Sequence, residues 1–526
     1  MTAQTRPAAG GRFGWLRTRG VLMGLLGSIC ISIAVMTPGF VPNAGLDRIL
    51  PVRWFRNLVL GDLYLGRVFM LAGLILLIGG WLRLRPAVTP RVPHAAILAL
   101  WSLPMLLAPP IFSSDVFLYA DQGWILHLGL DPYQIGLAQV GGPFDTNVHW
   151  VWRGTTAIYP PLALQIQHLI VSTTGYSGYL SVVAMRIPAI IAAIVIAVLV
   201  PRLARLLRVD PELAKWMAVL NPMLLLHYIG GAHNDALMAA GVLLACYLTY
   251  RFGRPGMLIG AAIIGVGTAI KQPGLMAAFA IGLIPVAHRL PSMPVARRLL
   301  VGGGHVLASI AVAGLAFVAT TAATGLGFGW IRATSIGELT WSMSPSSVVE
   351  QIVGPIAGQF GYTGNLLPLF SQITTGLSVL ALVWLAWRYF FADRIGHDPI
   401  GTRWRLDPAA PTDWHDYPLR WLAWAFILFS LGGSGYHTWY WLWGGIYLGM
   451  LRYNDKLMRL VVAIMIFLLT TEAGQEYYSV RTIPGMVLGA TLAYLWWIYS
   501  VRWKFNRSDP TAATDAPVPS VSGGIR

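Results

Sequence analysis

Charge is what this chain lacks most. Of its 526 residues, 11% are Asp, Glu, Lys or Arg, while 56% are hydrophobic and the mean hydropathy is +0.62. A soluble globular surface needs about 25% charge, so that class is excluded. Acidic residues are the scarcer sign, 21 against 37 Lys and Arg, for a net charge of +16. In a soluble chain this excess would point to nucleic acid. Here Lys and Arg sit mainly in short loops between apolar runs, which is a topology signal, and no nucleic-acid partner is expected. Cysteine is nearly absent. Cys30 and Cys246 both fall within apolar runs, away from any metal-ligand spacing or redox pair, and read as packing residues.

What the chain has instead is apolar runs of about 20 residues, long enough to cross roughly 30 Å of hydrocarbon as helices. They recur from residue 21 to residue 500, so the predicted fold is all-α: a polytopic transmembrane helical bundle of about 13–15 spans. The candidate spans are 21–41, 66–82, 94–112, 180–200, 216–231, 235–250, 256–270, 274–288, 299–323, 365–387, 418–433, 438–451, 459–473 and 483–500. Fourteen crossings put both termini on one side, and basic loops such as Arg202/Arg205/Arg208 and Arg289/Arg297/Arg298 then alternate to the cytoplasm. The segment Tyr159–Gly175 is apolar too, but Gln165, Gln167 and His168 interrupt it, and an interfacial or re-entrant helix is expected there. Residues 1–20 read as a cytoplasmic N-terminus and 21–500 as the transmembrane domain, whose first span is not cleaved. Residues 501–526 read as a disordered cytoplasmic tail. Ser344-Pro345 forms a cap and first-turn pair for an interfacial helix through Val348–Ile356.

Polar residues converge on the opposite, extracytoplasmic face. The densest stretch is Ser113-Ser114-Asp115 through Tyr119, Asp121 and Gln122, followed by Gly129-Leu130-Asp131-Pro132-Tyr133. A carboxylate just after a span is costly unless paired or working. If the segment is helical, Asp115 and Tyr119 share a face, with Gln122 nearby, and Asp121 points elsewhere. The bland alternative is an interfacial helix with solvated aspartates. On the same face lie the turn His233-Asn234-Asp235, Lys271 at a helix end before Gln272-Pro273, Arg332 after the Gly-rich 325–329 segment, and Tyr436-His437-Thr438-Trp439-Tyr440-Trp441. Each has an ordinary alternative: helix capping for the His233 turn, snorkelling or interfacial placement for Lys271 and Arg332, membrane anchoring for the aromatics. Arg186, near a span end, is expected to pair with a carboxylate or reach the interface.

An aspartate right after an early span, then a Tyr, Gly-Leu-Asp-Pro-Tyr and Tyr159-Pro160-Pro161-Leu162 together resemble the first extracytoplasmic loop of GT-C glycosyltransferases. Leu220-Asn221-Pro222, Gly230-Gly231-Ala232-His233-Asn234-Asp235, Ile270-Lys271, Gly325–Trp330 and Trp439-Tyr440 narrow the likeness over about residues 93–450. The set is similar to the actinobacterial polyprenyl-phosphomannose-dependent α-1,6-mannosyltransferases that build the lipomannan core. The resemblance implies a β-mannosyl phosphoryl polyprenol donor, a glycolipid mannan acceptor, surrounding membrane lipids, and inversion at the plasma membrane's outer face. By position, Asp115 is then the base that deprotonates the acceptor hydroxyl. The phosphate leaving group calls for cations rather than a strong acid, and Lys271 and Arg332 fit that need. Tyr119, His233, Asp235, His437, Trp439 and Tyr440 are the expected sugar-binding residues. No cofactor is required by the chemistry, and no metal is expected, since no His/Cys cluster has ligand spacing. A transferase for another polyprenyl-phosphate sugar such as arabinose is the nearest alternative. A lipid-linked sugar flippase would instead place polar groups near the midplane in repeated halves, and a scaffold would need no carboxylate at position 115.

Overall fold

The computed structural model of the chain describes residues 13–37, 63–89, 91–333, 342–395, 414–478 and 480–505. Among them every extended regular element is a helix. Among the described residues seven helices are long and apolar enough to cross a membrane: Leu65–Arg83, Leu180–Leu206, Asp235–Phe252, Val295–Thr324, Leu367–Arg388, Asp455–Tyr478 and Thr482–Tyr499. Shorter apolar helices, Arg19–Val35, His94–Met105, Arg254–Thr268 and Gln272–Leu283, pack among them. The protein is therefore a polytopic helical bundle. Residues 1–12 of the expected N-terminal segment and 506–526 of the expected tail lie outside the described residues.

Several local expectations meet their physical cause. The 13-residue helix Pro161–Thr173 is about 20 Å long, too short to span alone, and it packs on the helix Asp115–His127. Gly123 permits that packing, because a Cβ there would come 2.8 Å from the Gln167 carbonyl oxygen. Ser344 caps Pro345–Gln359, its hydroxyl accepting from the Ser347 N–H. The predicted 216–231 span is broken at Asn221-Pro222 into two wide π-helical turns, Lys215–Val219 and Leu224–Gly230. The Asn221 side chain fills the break, donating to the Met217 carbonyl and accepting from Met223 N–H. The 438–451 run holds a 3-10 turn, Thr438–Tyr440, followed by the short helix Trp441–Leu448. Both cysteines are free and buried.

Arg186 differs from expectation. It is 2% exposed, and no carboxylate among the described residues pairs with it. Its guanidinium donates to four backbone carbonyls, Leu106 at 3.3 Å, Pro109 at 3.0 Å, Ile229 at 3.2 Å and Gly230 at 2.9 Å. Five fixed N–H donors make arginine suited to such a hub. The carbonyls belong to the segments that lead into Asp115 and His233.

Candidate active site

Asp115 opens its helix and is positioned by the residues just before it. Phe112 has a left-handed backbone, φ 61, uncommon for a bulky residue and stored where structure over-determines it. Its N–H donates to the Tyr477 hydroxyl at 2.8 Å, and the Ile111 N–H donates to the Gly230 carbonyl at 3.3 Å. The Ser113 hydroxyl then accepts from the Asp115 N–H at 3.1 Å, supplying an orphan donor of the helix N-terminus. The carboxylate is 16% exposed. Burial pushes its pKa up to about 6; Lys271 pulls it down, Asp235 pushes it up, and the Ser113 hydrogen bond pulls it down. Tyr119, one turn on, packs edge-to-face on Tyr159. Asp121 points the other way, as the helical spacing requires: it is fully buried and accepts from the Ala138 N–H at 2.8 Å. Asp131 accepts from the Tyr133 N–H and the Gln134 side chain, so it shapes a turn.

The His233 turn supplies the second wall. A Cβ on Gly231 would crowd the His227 and Ile111 carbonyl oxygens at 2.9 and 3.0 Å, and Ala232 follows at φ 53. His233 is fully buried, with Nδ1 3.8 Å from the Asp115 carboxylate. Burial and the neighbouring His227 and Lys271 depress its pKa well below the ordinary value, so the contact is between a carboxylate and a neutral imidazole. Asp235 starts the helix Asp235–Phe252, where a carboxylate is favoured by the helix dipole. One of its oxygens accepts from Trp443 Nε1 at 2.8 Å and the other lies 3.3 Å from Lys271 Nζ. Burial opposes the Lys271 charge, but Asp235 and, more weakly, Asp115 outweigh it and hold the ammonium protonated. Its head lies 5.0 Å from the Tyr159 ring and 5.2 Å from the Tyr440 ring.

The third wall is the aromatic turn. Its approach is pinned by serines: Ser342, Ser344 and Ser347 hydroxyls all donate to the Ser434 carbonyl, and the Tyr436 N–H donates to Ser342 Oγ. Trp439 is stacked between His233 at 3.8 Å and His437 at 4.4 Å, and Tyr440 stacks on Trp443 at 4.2 Å. These rings are buried or half-buried within the bundle, so membrane anchoring does not describe them. Thr438 donates to Glu472, which also lies 3.2 Å from His227 Nε2. In front of Asp115 opens a cavity of about 620 Å³, lined by Ser113, Asp115, Trp150, His437, Trp439, Glu472 and Glu476 among others.

Asp115, Tyr119, His233, Asp235, Lys271, His437, Trp439 and Tyr440 are thus brought together from four separate segments. Arg332 is not: it is exposed, and no hydrogen bond or ion pair joins it to this group among the described residues. No group of three His, Cys, Asp or Glu side chains among the described residues is arranged to hold a metal. Sequence reasoning missed Glu472, Glu476 and His227. Their signal was available, since ionisable side chains inside apolar runs are expensive and mark function by default.

Such a bundle, with a half-buried carboxylate of raised pKa at a cavity walled by stacked aromatics, has the features of an enzyme site in a polytopic helical protein. The comparisons with known proteins narrow the class. The family model described as "Alpha-(1->6)-mannopyranosyltransferase, N-terminal domain" matches residues 21–287, half of the chain, and the chain belongs to that family. It is similar to Alpha-(1->6)-mannopyranosyltransferase A of Corynebacterium glutamicum, 28% identical over 85% of this chain and 91% of the relative. Alpha-(1->6)-mannopyranosyltransferase A of Mycobacterium tuberculosis is 28% identical over 66% of this chain and 72% of its own length. Alpha-(1->6)-mannopyranosyltransferase B of C. glutamicum is 27% identical over 73% and 67%. No solved structure matches. The chain is a mannosyltransferase.

Proposed function

We propose that the protein transfers mannose with inversion from a β-mannosyl phosphoryl polyprenol to the 6-hydroxyl of an α-1,6-mannan acceptor, at the outer face of the plasma membrane. The single observation that carries this reading is the Asp115 carboxylate, raised to about 6 and facing the 620 Å³ cavity. A base with that pKa is ionised at neutral pH yet retains proton affinity. Asp115 takes the proton of the acceptor hydroxyl as its oxygen attacks the anomeric carbon from the side opposite the phosphate. The bond from that carbon to the phosphate oxygen breaks, and the electron pair leaves with polyprenyl phosphate. Lys271 holds the developing phosphate charge; the tyrosine rings of Tyr159 and Tyr440 flank its ammonium. Arg332 is not needed for this arrangement. His233, Asp235, His437, Trp439, Tyr440 and Tyr119 frame the sugars or fix the groups that do.

The purified full chain, given labelled polyprenyl-phosphomannose and short α-1,6-mannosides, is expected to form a longer α-1,6-mannoside. Asp115→Asn lowers that rate about 10²- to 10⁴-fold, the usual contribution of a positioned base. A folded Asp115→Asn protein that transfers at the wild-type rate overturns the assignment, and polyprenyl-phosphoarabinose used in preference to the mannosyl donor overturns the donor.

A further inference from the structure

Among the described residues that line the cavity in front of Asp115 there is no lysine or arginine, and Lys271 is not part of its wall. It carries three carboxylates, Asp115, Glu472 and Glu476, with the Gln475 amide beside them. Its two histidines add no positive charge at neutral pH, because burial lowers His149, and burial with the nearby Lys271 holds His437 down at about 4. A phosphate entering this space would find no counter-charge on its described wall, whereas a neutral polyol would find acceptors for its hydroxyl hydrogens. The carboxylates are too dispersed to form a cation site among the described residues.

Two further observations point to a sugar. Trp439 is 5% exposed and lines the cavity, and its indole N–H has no acceptor among the described residues, although a buried indole normally finds one. Trp150, also on the wall, is 76% exposed, an aromatic face left bare where a pyranose ring can lie. Glu472 is committed to Thr438 and His227, which leaves Glu476 as the carboxylate open to the cavity.

We infer that this cavity is the acceptor-glycan subsite, with Trp150 stacking on an acceptor mannose, Glu476 accepting its hydroxyls and the Trp439 N–H donating to a ring substituent. The inference rests on the transfer reaction proposed above and separates the two substrates spatially. The acceptor enters between Trp150 and the end of the 455–478 helix. The donor phosphate belongs on the other side of Asp115, with Lys271. Glu472 is a positioning residue that ties the aromatic turn to that helix.

The test is two-substrate kinetics of the full chain, with the α-1,6-mannobioside and the polyprenyl-phosphomannose varied in turn. Trp150→Ala and Glu476→Gln are each expected to raise the acceptor KM about 10-fold or more while the donor KM stays within about twofold. Trp150→Tyr restores most of the acceptor KM. Unchanged acceptor KM in both variants, or a parallel rise in donor KM, overturns the inference. If the wild-type protein does not use polyprenyl-phosphomannose at all, the donor reading fails, and equilibrium binding of labelled mannobioside decides the subsite separately. Binding about tenfold weaker in Trp150→Ala supports it, and equal binding overturns it.

Discussion

The electrostatics around Asp115 make a prediction in which two substitutions of neighbouring charges move the same quantity in opposite directions. With its pKa at about 6, the carboxylate is about 90% ionised at pH 7 and about 9% ionised at pH 5, so kcat/KM falls roughly tenfold between them. Lys271 lowers that pKa and Asp235 raises it. Lys271→Met therefore moves the acid limb of the pH profile upward, and Asp235→Asn moves it downward, each by about one pH unit if the charges act as close neighbours do. Asp235→Asn also frees Lys271 from its 3.3 Å partner, which strengthens the downward shift. Each profile is normalised to its own plateau, so that loss of donor affinity in Lys271→Met does not enter. The same shift acts on stability with the opposite sense. A carboxyl whose folded pKa exceeds its unfolded value of about 3.9 favours the protonated fold, so its contribution to stability grows as pH falls from above 6 toward 4, while the rate declines. Limbs that coincide in the two variants, that shift the same way, or that show activity rising below pH 6 refute the reasoning.

The buried pair itself gives a second test. At 3.3 Å and an effective dielectric of 20, the Lys271–Asp235 attraction is about 5 kcal/mol, and removing one partner strands the other, at a cost of about 3–5 kcal/mol. Lys271→Met and Asp235→Leu together should destabilise less than the sum of the two singles in denaturant unfolding, and strict additivity would show the pair is not coupled. Arg186→Met leaves four buried carbonyls without their donor and is expected to cost at least about 3 kcal/mol of stability, with activity falling in the fraction that remains folded. A thermal midpoint within error of wild type would deny the hub any structural weight.

Much of this site was legible in the sequence because the features that carry it are local. A carboxylate immediately after an apolar run, and a tyrosine four residues on, place Asp115 and Tyr119 on one face without knowledge of the rest of the chain. Lys271 and the His233 turn were legible as helix-end residues. The partners were not. Nothing in the spacing says that Asp235 meets Lys271, that Trp439 slides between His233 and His437, or that Arg186 grips carbonyls rather than a carboxylate. Such pairings are decided by helix packing between segments up to 365 residues apart, as in the Phe112–Tyr477 hydrogen bond. Glu472 escaped for a different reason. Its run reads as a plain span, and a single glutamate there looks like an end residue until His227 and Thr438 are found beside it.

The grip of Arg186 also bears on the order in which the protein can be assembled as it is made. When the ribosome has delivered residue 186, the carbonyls of Leu106 and Pro109 already exist, but those of Ile229 and Gly230 do not. For some forty residues of synthesis the guanidinium has only half of its final partners. The second half arrives on the segment that also brings His233 and Asp235. The Asp115 side of the site is therefore complete in sequence before the His233 turn has been made. Closure of the cavity waits for Glu472 and Glu476, close to the end of the chain, so a nascent chain stalled before that helix carries the base without the chamber in which it works.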